Sequence, residues 1–213
     1  MSRVALLAGM PGGIMGTVAV VVCFIQPFIQ IYTTILRDIP FTRLMYAEAS
    51  TATIFITILF VVLLVVSCIL TGVGFYGIYT VGGGAMGIVG LIFGIMGGAA
   101  AAILALLGSS TSFTARGVYY YFITIAAIPY YPPLGLWDWI GLIILGVSFV
   151  IMGCASIVVR EYTMHSGTMV AAGILSIIGG SALIFISLWA GLALMFMFVA
   201  FLLWAIVFYT TKH

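Results

Sequence analysis

The sequence predicts an all-α protein, a polytopic transmembrane helical bundle of about six spans. Of its 213 residues 65% are hydrophobic and 5% are charged, and the mean hydropathy is +1.41. A soluble domain carries about 25% charged residues, so six basic and four acidic side chains cannot coat a globule of this size. Most of the surface must face lipid, which excludes a soluble enzyme and a nucleic-acid-binding protein and predicts an integral protein of a prokaryotic cell membrane.

Six apolar runs reach the length of about 20 residues that a bilayer span requires. Charges and clusters of glycine or proline separate these runs, which cover residues 14–36, 51–79, 84–108, 136–159, 168–188 and 190–210 of a single transmembrane domain. The connections near 81–84 and 189–191 are short and uncharged, as is typical of antiparallel neighbouring helices. The stretch 37–50 holds four of the charges and is predicted to be an aqueous loop.

The longest segment outside the predicted spans is 109–135. Its apolar part, 118–128, is too short to cross the bilayer, and it is rich in tyrosine and followed by prolines. Tyrosine and tryptophan concentrate at the headgroup level of membranes. An interfacial aromatic loop is therefore favoured over a re-entrant loop or a lid on the bundle.

An internal repeat relates residues 79–98 to residues 162–181. Seven of the 20 aligned positions are identical, beginning with a Tyr-Thr pair in each copy. Spans 2–3 and 4–5 would then be two copies of one helical hairpin, both running in the same direction through the membrane.

Small residues in the third span predict close helix packing. In lipid, helices associate through close backbone contact rather than through the hydrophobic effect, and Gly90, Gly94, Gly98 and Ala102 recur every four residues along one face. This groove is interpreted as intrachain packing by a central third helix, with an oligomer interface or a pore lining as the alternatives. The sixth span has no glycine after Gly191 and is predicted to be an outer helix that faces lipid or a partner subunit.

One polar group lies inside a span. Gln26 and Gln30 are four residues apart on the first span and share a helical face, which Thr33 or Thr34 continues. Unpaired amides in hydrocarbon cost a few kcal/mol, so an interhelical hydrogen-bond clamp beside Pro27 is favoured. The alternative is a polar wall for water, a small solute or a quinone headgroup.

The charges lie at predicted helix ends and loops, and none is near the middle of a span. Arg116 with Asp138, and Arg160 with Glu161, are interpreted as interfacial charges that anchor helix ends. A self-contained ion pump needs an ionisable group at depth, so this class is disfavoured. The two histidines and three widely spaced cysteines predict no metal site, no haem and no other cofactor.

The favoured function is a non-catalytic accessory or scaffold subunit of a larger membrane complex, such as a respiratory or redox assembly. Its expected partners are the lipid bilayer and other membrane subunits or a second copy of itself. The competing class is a channel or facilitator for a small neutral solute, which needs no buried charge. A membrane enzyme is third, because catalytic residues or a cofactor would have to come from another chain.

Overall fold

The computed structural model describes residues 2–38, 43–106, 136–185 and 190–211, and these ranges are all-helical. They contain six α-helices: α1 (Ser2–Asp38), α2 (Arg43–Thr80), α3 (Met86–Leu106), α4 (Leu136–Val158), α5 (Ser166–Phe185) and α6 (Ala190–Thr211). A single 3-10 turn, Val159–Tyr162, continues α4. The predicted aromatic loop at 109–135 lies outside the described residues.

Each helix includes a stretch that is long and apolar enough to cross a membrane. Within the described ranges these six stretches are Val4–Val22, Ile58–Thr80, Met86–Leu104, Trp139–Tyr162, Ser166–Ile184 and Ala193–Thr211. The prediction of an all-helical bundle with six membrane-spanning helices is confirmed at this level, and the chain is an integral membrane protein.

The first helix begins at Ser2 rather than near residue 14. Pro11 and the glycines beside it predict a break in the helix, yet α1 is continuous through them. The reason is tertiary: the side-chain-free faces of Gly9, Gly12 and Gly13 lie against neighbouring helices. Close packing there outweighs the low helix propensity of glycine, about 1 kcal/mol per residue.

The second helix also begins early, at Arg43, so most of the predicted aqueous loop at 37–50 is helical. Residues 44–49 consist of Leu, Met, Tyr, Ala and Glu, and most of these residue types favour helix. A charged stretch does not have to be irregular, because a helix can continue beyond the lipid. With 37 and 38 residues, α1 and α2 are the longest helices described.

The helices form a closed ring. Each one packs against the helices before and after it in the chain, and α6 completes the ring by packing against α1. As residue numbers increase along one helix, the numbers of the residues they contact on the next helix decrease. Gly9 of α1 lies against Gly74 of α2, whereas Gly16 lies against Ser67. The neighbours are therefore antiparallel. In this ring α3 has two neighbours like every other helix, so the prediction of a central third helix is wrong.

Five large aromatic side chains fill the inside of the ring, and we call them the aromatic core. They come from α2, α4 and α6, which are not neighbours in the ring, and all are fully buried: Phe75, Phe149, Phe201, Trp204 and Phe208. The rings meet edge to face, with centroid separations of 5.5–5.8 Å. Aromatic pairs prefer this arrangement, which brings the positive ring edge to the negative face.

The aromatic core corrects the prediction for the sixth span. Helix α6 supplies three of the five aromatic side chains and also buries Met197 and Leu194. It therefore has a core face in addition to the outward apolar face that was predicted, on which Val199 and Ile206 are exposed. The sequence misled because α6 has no glycine stripe. Its large side chains enter the interior, while small residues on α1 let its backbone come close: a Cβ added to Gly13 would lie 2.6 Å from the carbonyl oxygen of Phe201.

Because neighbouring helices are antiparallel, one end of the bundle holds the start of α1, the α2–α3 turn, the α4–α5 turn and the end of α6. We call this end the turn end.

We expect cysteines introduced at Val81 and Met164, which are 48% and 66% exposed, to react with a membrane-impermeant maleimide from the same side of oriented membranes. A cysteine at Leu136, which is 72% exposed and begins α4 at the opposite end, should react only from the other side. The unaltered protein is the blank. Labelling of Val81→Cys and Met164→Cys from opposite sides would contradict this topology.

Candidate functional site

The predicted glycine groove of α3 lies against α2. A Cβ added to Gly90 would lie 2.5 Å from Phe75, and one added to Gly94 would lie 2.7 Å from the Gly72 Cα. At Gly98 the nearest atom is in Ile69, at 3.1 Å. These three glycines thus let α2 and α3 approach within one chain, and the fourth member of the predicted groove, Ala102, is half-buried.

In the hairpin of α4 and α5 the two helix backbones come very close together. A Cβ on Gly180 would lie 2.5 Å from the carbonyl oxygen of Gly146, and one on Gly146 would lie 2.7 Å from the carbonyl oxygen of Gly180. Gly153 and Gly173 approach each other in the same way, at 2.6 and 2.7 Å. Between these two crossings the Ser176 hydroxyl donates a 2.7 Å hydrogen bond to the Phe149 carbonyl. Close backbones and a polar bond therefore alternate along one seam.

Serine hydroxyls join other helices in the same manner. Ser67 of α2 donates to the Gly12 carbonyl of α1 at 2.7 Å, and the Trp204 Nε1 of α6 donates to the Ser156 hydroxyl of α4 at 2.9 Å. Ser156 in turn donates to the Met152 carbonyl, at 2.9 Å. In a bilayer interior an unmade hydrogen bond has no water to replace it, so these bonds fix which helix faces which.

These polar contacts between helices were not predictable from the sequence. Ser67, Ser156 and Ser176 are fully buried, but one serine in an apolar run gives no sign of its partner. Each of these serines lies near glycines of the helix that it faces. That proximity could not be recognised from the sequence, because the sequence does not show which two helices are neighbours.

Of the predicted polar face, Gln26, Gln30, Thr33 and Thr34 lie in α1. Their spacing within a continuous helix places both glutamines on one face. Their side chains lie outside the described part of the structure, so both the clamp and the polar wall remain predictions.

The predicted interfacial charges are placed in part. Arg116 lies outside the described residues, and Asp138 lies in the first turn of α4 with its side chain outside them. Arg160 and Glu161 lie in the 3-10 turn after α4, at the turn end, and both side chains are exposed. Among the described residues neither side chain makes an ion pair or a hydrogen bond.

A pocket of about 530 Å³ opens at the turn end, between the α2–α3 turn and the end of α4. We call it the turn pocket, and its wall includes Gly84, Met86, Ile157, Arg160, Glu161 and Tyr162. On one side, Gly82 and Gly84 have φ values of +104° and +68°, which glycine adopts without steric cost. On the other side, the Thr163 hydroxyl donates to the Arg160 carbonyl at 2.8 Å and holds the end of the 3-10 turn.

The described residues contain no group of three or more histidine, cysteine or acidic side chains that could hold a metal ion. His165 is exposed in the α4–α5 turn, and its carbonyl accepts a hydrogen bond from the Met169 amide at 3.0 Å.

Together, the ring of helices, the aromatic core and the turn pocket define an all-α integral membrane protein. Comparison with protein-family models, with curated proteins and with solved structures finds no match to this chain.

Proposed function

We propose that this protein is a non-catalytic accessory or scaffold subunit of a larger membrane complex, such as a respiratory or redox assembly. The observation that carries the proposal is the aromatic core. A carrier would have its pathway in the middle of the helix ring, but here that space holds five closely packed aromatic side chains. A bundle filled in this way is suited to holding a shape rather than to passing a solute.

The outward faces support the same proposal. Every helix exposes large apolar side chains, among them Val18, Val62, Ile92, Ile143, Ile174 and Val199. In a membrane such faces contact lipid or the apolar surface of another subunit. Because the protein has few charged residues, helix-to-helix contact within the bilayer is its main means of binding another subunit.

The test is photo-crosslinking in the native membrane. A photoreactive amino acid placed in turn at the six outward positions named above should crosslink to other polypeptides from one or two adjacent helices of the ring. Positions on the remaining helices should crosslink to lipid. The matched control is the same amino acid at His165, which is exposed outside the spans. Crosslinks to lipid alone from all six helices, with recovery as a free monomer in mild detergent, would overturn the proposal.

The second candidate is a channel or facilitator for a small neutral solute. It is favoured by the shared face of Gln26 and Gln30 on α1, and by the buried Thr71 hydroxyl, which has no hydrogen-bond partner among the described residues. A buried polar atom of this kind is suited to binding water. Entry of neutral solutes into liposomes that contain only this protein would favour the facilitator over the scaffold.

We also propose that the α2–α3 and α4–α5 hairpins are two copies of one unit, as the repeat of 79–98 in 162–181 predicts. Both hairpins are antiparallel pairs held by glycines, and two aligned glycines face the preceding helix of their own hairpin. Gly90 lies against Phe75 of α2, and Gly173 lies against Gly153 of α4. Helices α1 and α6, which pack against each other, would then be additions that close the ring.

A further inference from the structure

We infer that the turn pocket binds the headgroup of a zwitterionic aminophospholipid, with the lipid phosphate on Arg160 and its primary ammonium on Glu161. This inference concerns a lipid site and is independent of the scaffold proposal. It depends on three features of the pocket, namely its depth in the membrane, the pair of opposite charges in its wall, and the apolar residues beside them.

The ends of the candidate spans place the pocket at the level expected for the lipid headgroups. Arg160 and Glu161 are in the last turn of the candidate span Trp139–Tyr162, and the facing α2–α3 turn joins the ends of two further spans. A pocket between helix ends at this level is open to the lipid headgroups of one leaflet. Arginine in such pockets is a recurrent partner of phospholipid phosphates.

The charges match a zwitterion. Arg160 and Glu161 both contribute to the pocket wall, and within the described chain neither has an ionic partner. A guanidinium binds phosphate oxygens through two parallel hydrogen bonds, and the carboxylate accepts from a primary ammonium. An anionic headgroup would satisfy Arg160 and be repelled by Glu161. A choline headgroup has no N–H to donate.

The remaining walls are apolar or aromatic. Met86 and Ile157 line the pocket on either side, and Tyr162 is half exposed beside Glu161. Such residues suit the glycerol and the first carbons of the acyl chains, which a soluble phosphate compound lacks. Tyrosine is also the residue type that concentrates at this depth. The ligand is therefore a lipid and not a free phosphoester.

The test is native mass spectrometry of the delipidated full-length protein, titrated with phosphatidylethanolamine, phosphatidylcholine and phosphatidylglycerol that have identical acyl chains. We expect half-saturation with phosphatidylethanolamine at about tenfold lower concentration than with the other two, since one charge-assisted hydrogen bond has roughly that effect. Arg160→Gln should weaken phosphatidylethanolamine binding, and Glu161→Gln should abolish the preference over phosphatidylcholine. His165→Gln, a change on the same turn outside the pocket, should change neither.

Three results would overturn the inference. Equal binding of phosphatidylethanolamine and phosphatidylcholine by the unaltered protein would remove the role of Glu161. Tighter binding of phosphatidylglycerol would show a site for anionic lipid. Competition by free phosphoethanolamine at the concentration of the lipid would show that the apolar walls contribute nothing. The circular dichroism spectra of both pocket variants should match the unaltered protein, because both residues are exposed and their side chains have no partner among the described residues.

Discussion

Replacement of Gly180 by leucine is expected to separate α4 from α5 and to lower the stability of the protein in detergent. The new Cβ would lie 2.5 Å from the Gly146 carbonyl oxygen and 2.9 Å from the Val150 backbone nitrogen. Neither atom can rotate away as a side chain would, so the two helices must move apart. Overpacking costs about 1–3 kcal/mol, occasionally more. Because the new Cβ meets backbone atoms, we expect the cost for this variant to lie at the upper end of that range.

The same shift would also break the hydrogen bond from Ser176 to the Phe149 carbonyl, which crosses the seam one turn away. The measurement is unfolding by added denaturing detergent, followed by circular dichroism. Gly97→Ala is the matched control, because its Cβ would meet the Ser148 Cβ at 3.4 Å, an ordinary contact. The free energy of unfolding of this control should stay within about 0.5 kcal/mol of the value for the unaltered protein. Equal midpoints for Gly180→Leu and the control would show that the seam is not closely packed.

The substitution Trp204→Ala is expected to cause a second large loss of stability. Trp204 is fully buried, lies edge to face with Phe75 and Phe201, and is the largest fully buried side chain in the described chain. Its removal leaves a cavity at the meeting point of α2, α4 and α6, and such changes cost about 3–5 kcal/mol. The free energy of unfolding should fall by that amount, whereas Ile206→Ala, on the exposed face of the same helix, should lower it by much less.

The hydrogen bond from Trp204 to Ser156 can be separated from the packing by a double-mutant cycle. Trp204→Phe and Ser156→Ala each remove one partner of the 2.9 Å bond. Within a membrane, hydrogen bonds of this kind contribute about 0.6 kcal/mol on average. A coupling energy near that value is expected. A value of zero would mean that Trp204 contributes through packing alone.

The sequence was sufficient for the number of helices, though not for where α1 and α2 begin, because apolar length is a local property. Six runs of about 20 apolar residues predict six spans, and the every-fourth-residue spacing of Gly90, Gly94 and Gly98 marks a face that lies against another helix. The identity of the facing helix could not be predicted, because any helix can pack against a small-residue stripe.

The interior of the ring was not predictable from local patterns. Phe75, Phe149 and Trp204 are far apart in the chain, and each stands among apolar residues that face either lipid or protein. In a soluble protein polar residues would mark the outer face, but in lipid both faces are apolar. For the same reason the large side chains of α6 were interpreted as facing lipid. The turn pocket was likewise missed, because its two walls come from separate turns.

The position of α6 has a consequence for assembly during translation. In the order of synthesis α6 is the last of the six helices, yet it supplies three of the five rings of the aromatic core and closes the ring against α1. Membrane helices can insert one by one before they associate. Until α6 has left the ribosome and entered the bilayer, Phe75 and Phe149 lack their aromatic neighbours, and the glycines of α1 that face α6 have nothing to pack against. We therefore expect the nascent protein to be an open arc of five helices, which closes only when α6 packs against α1.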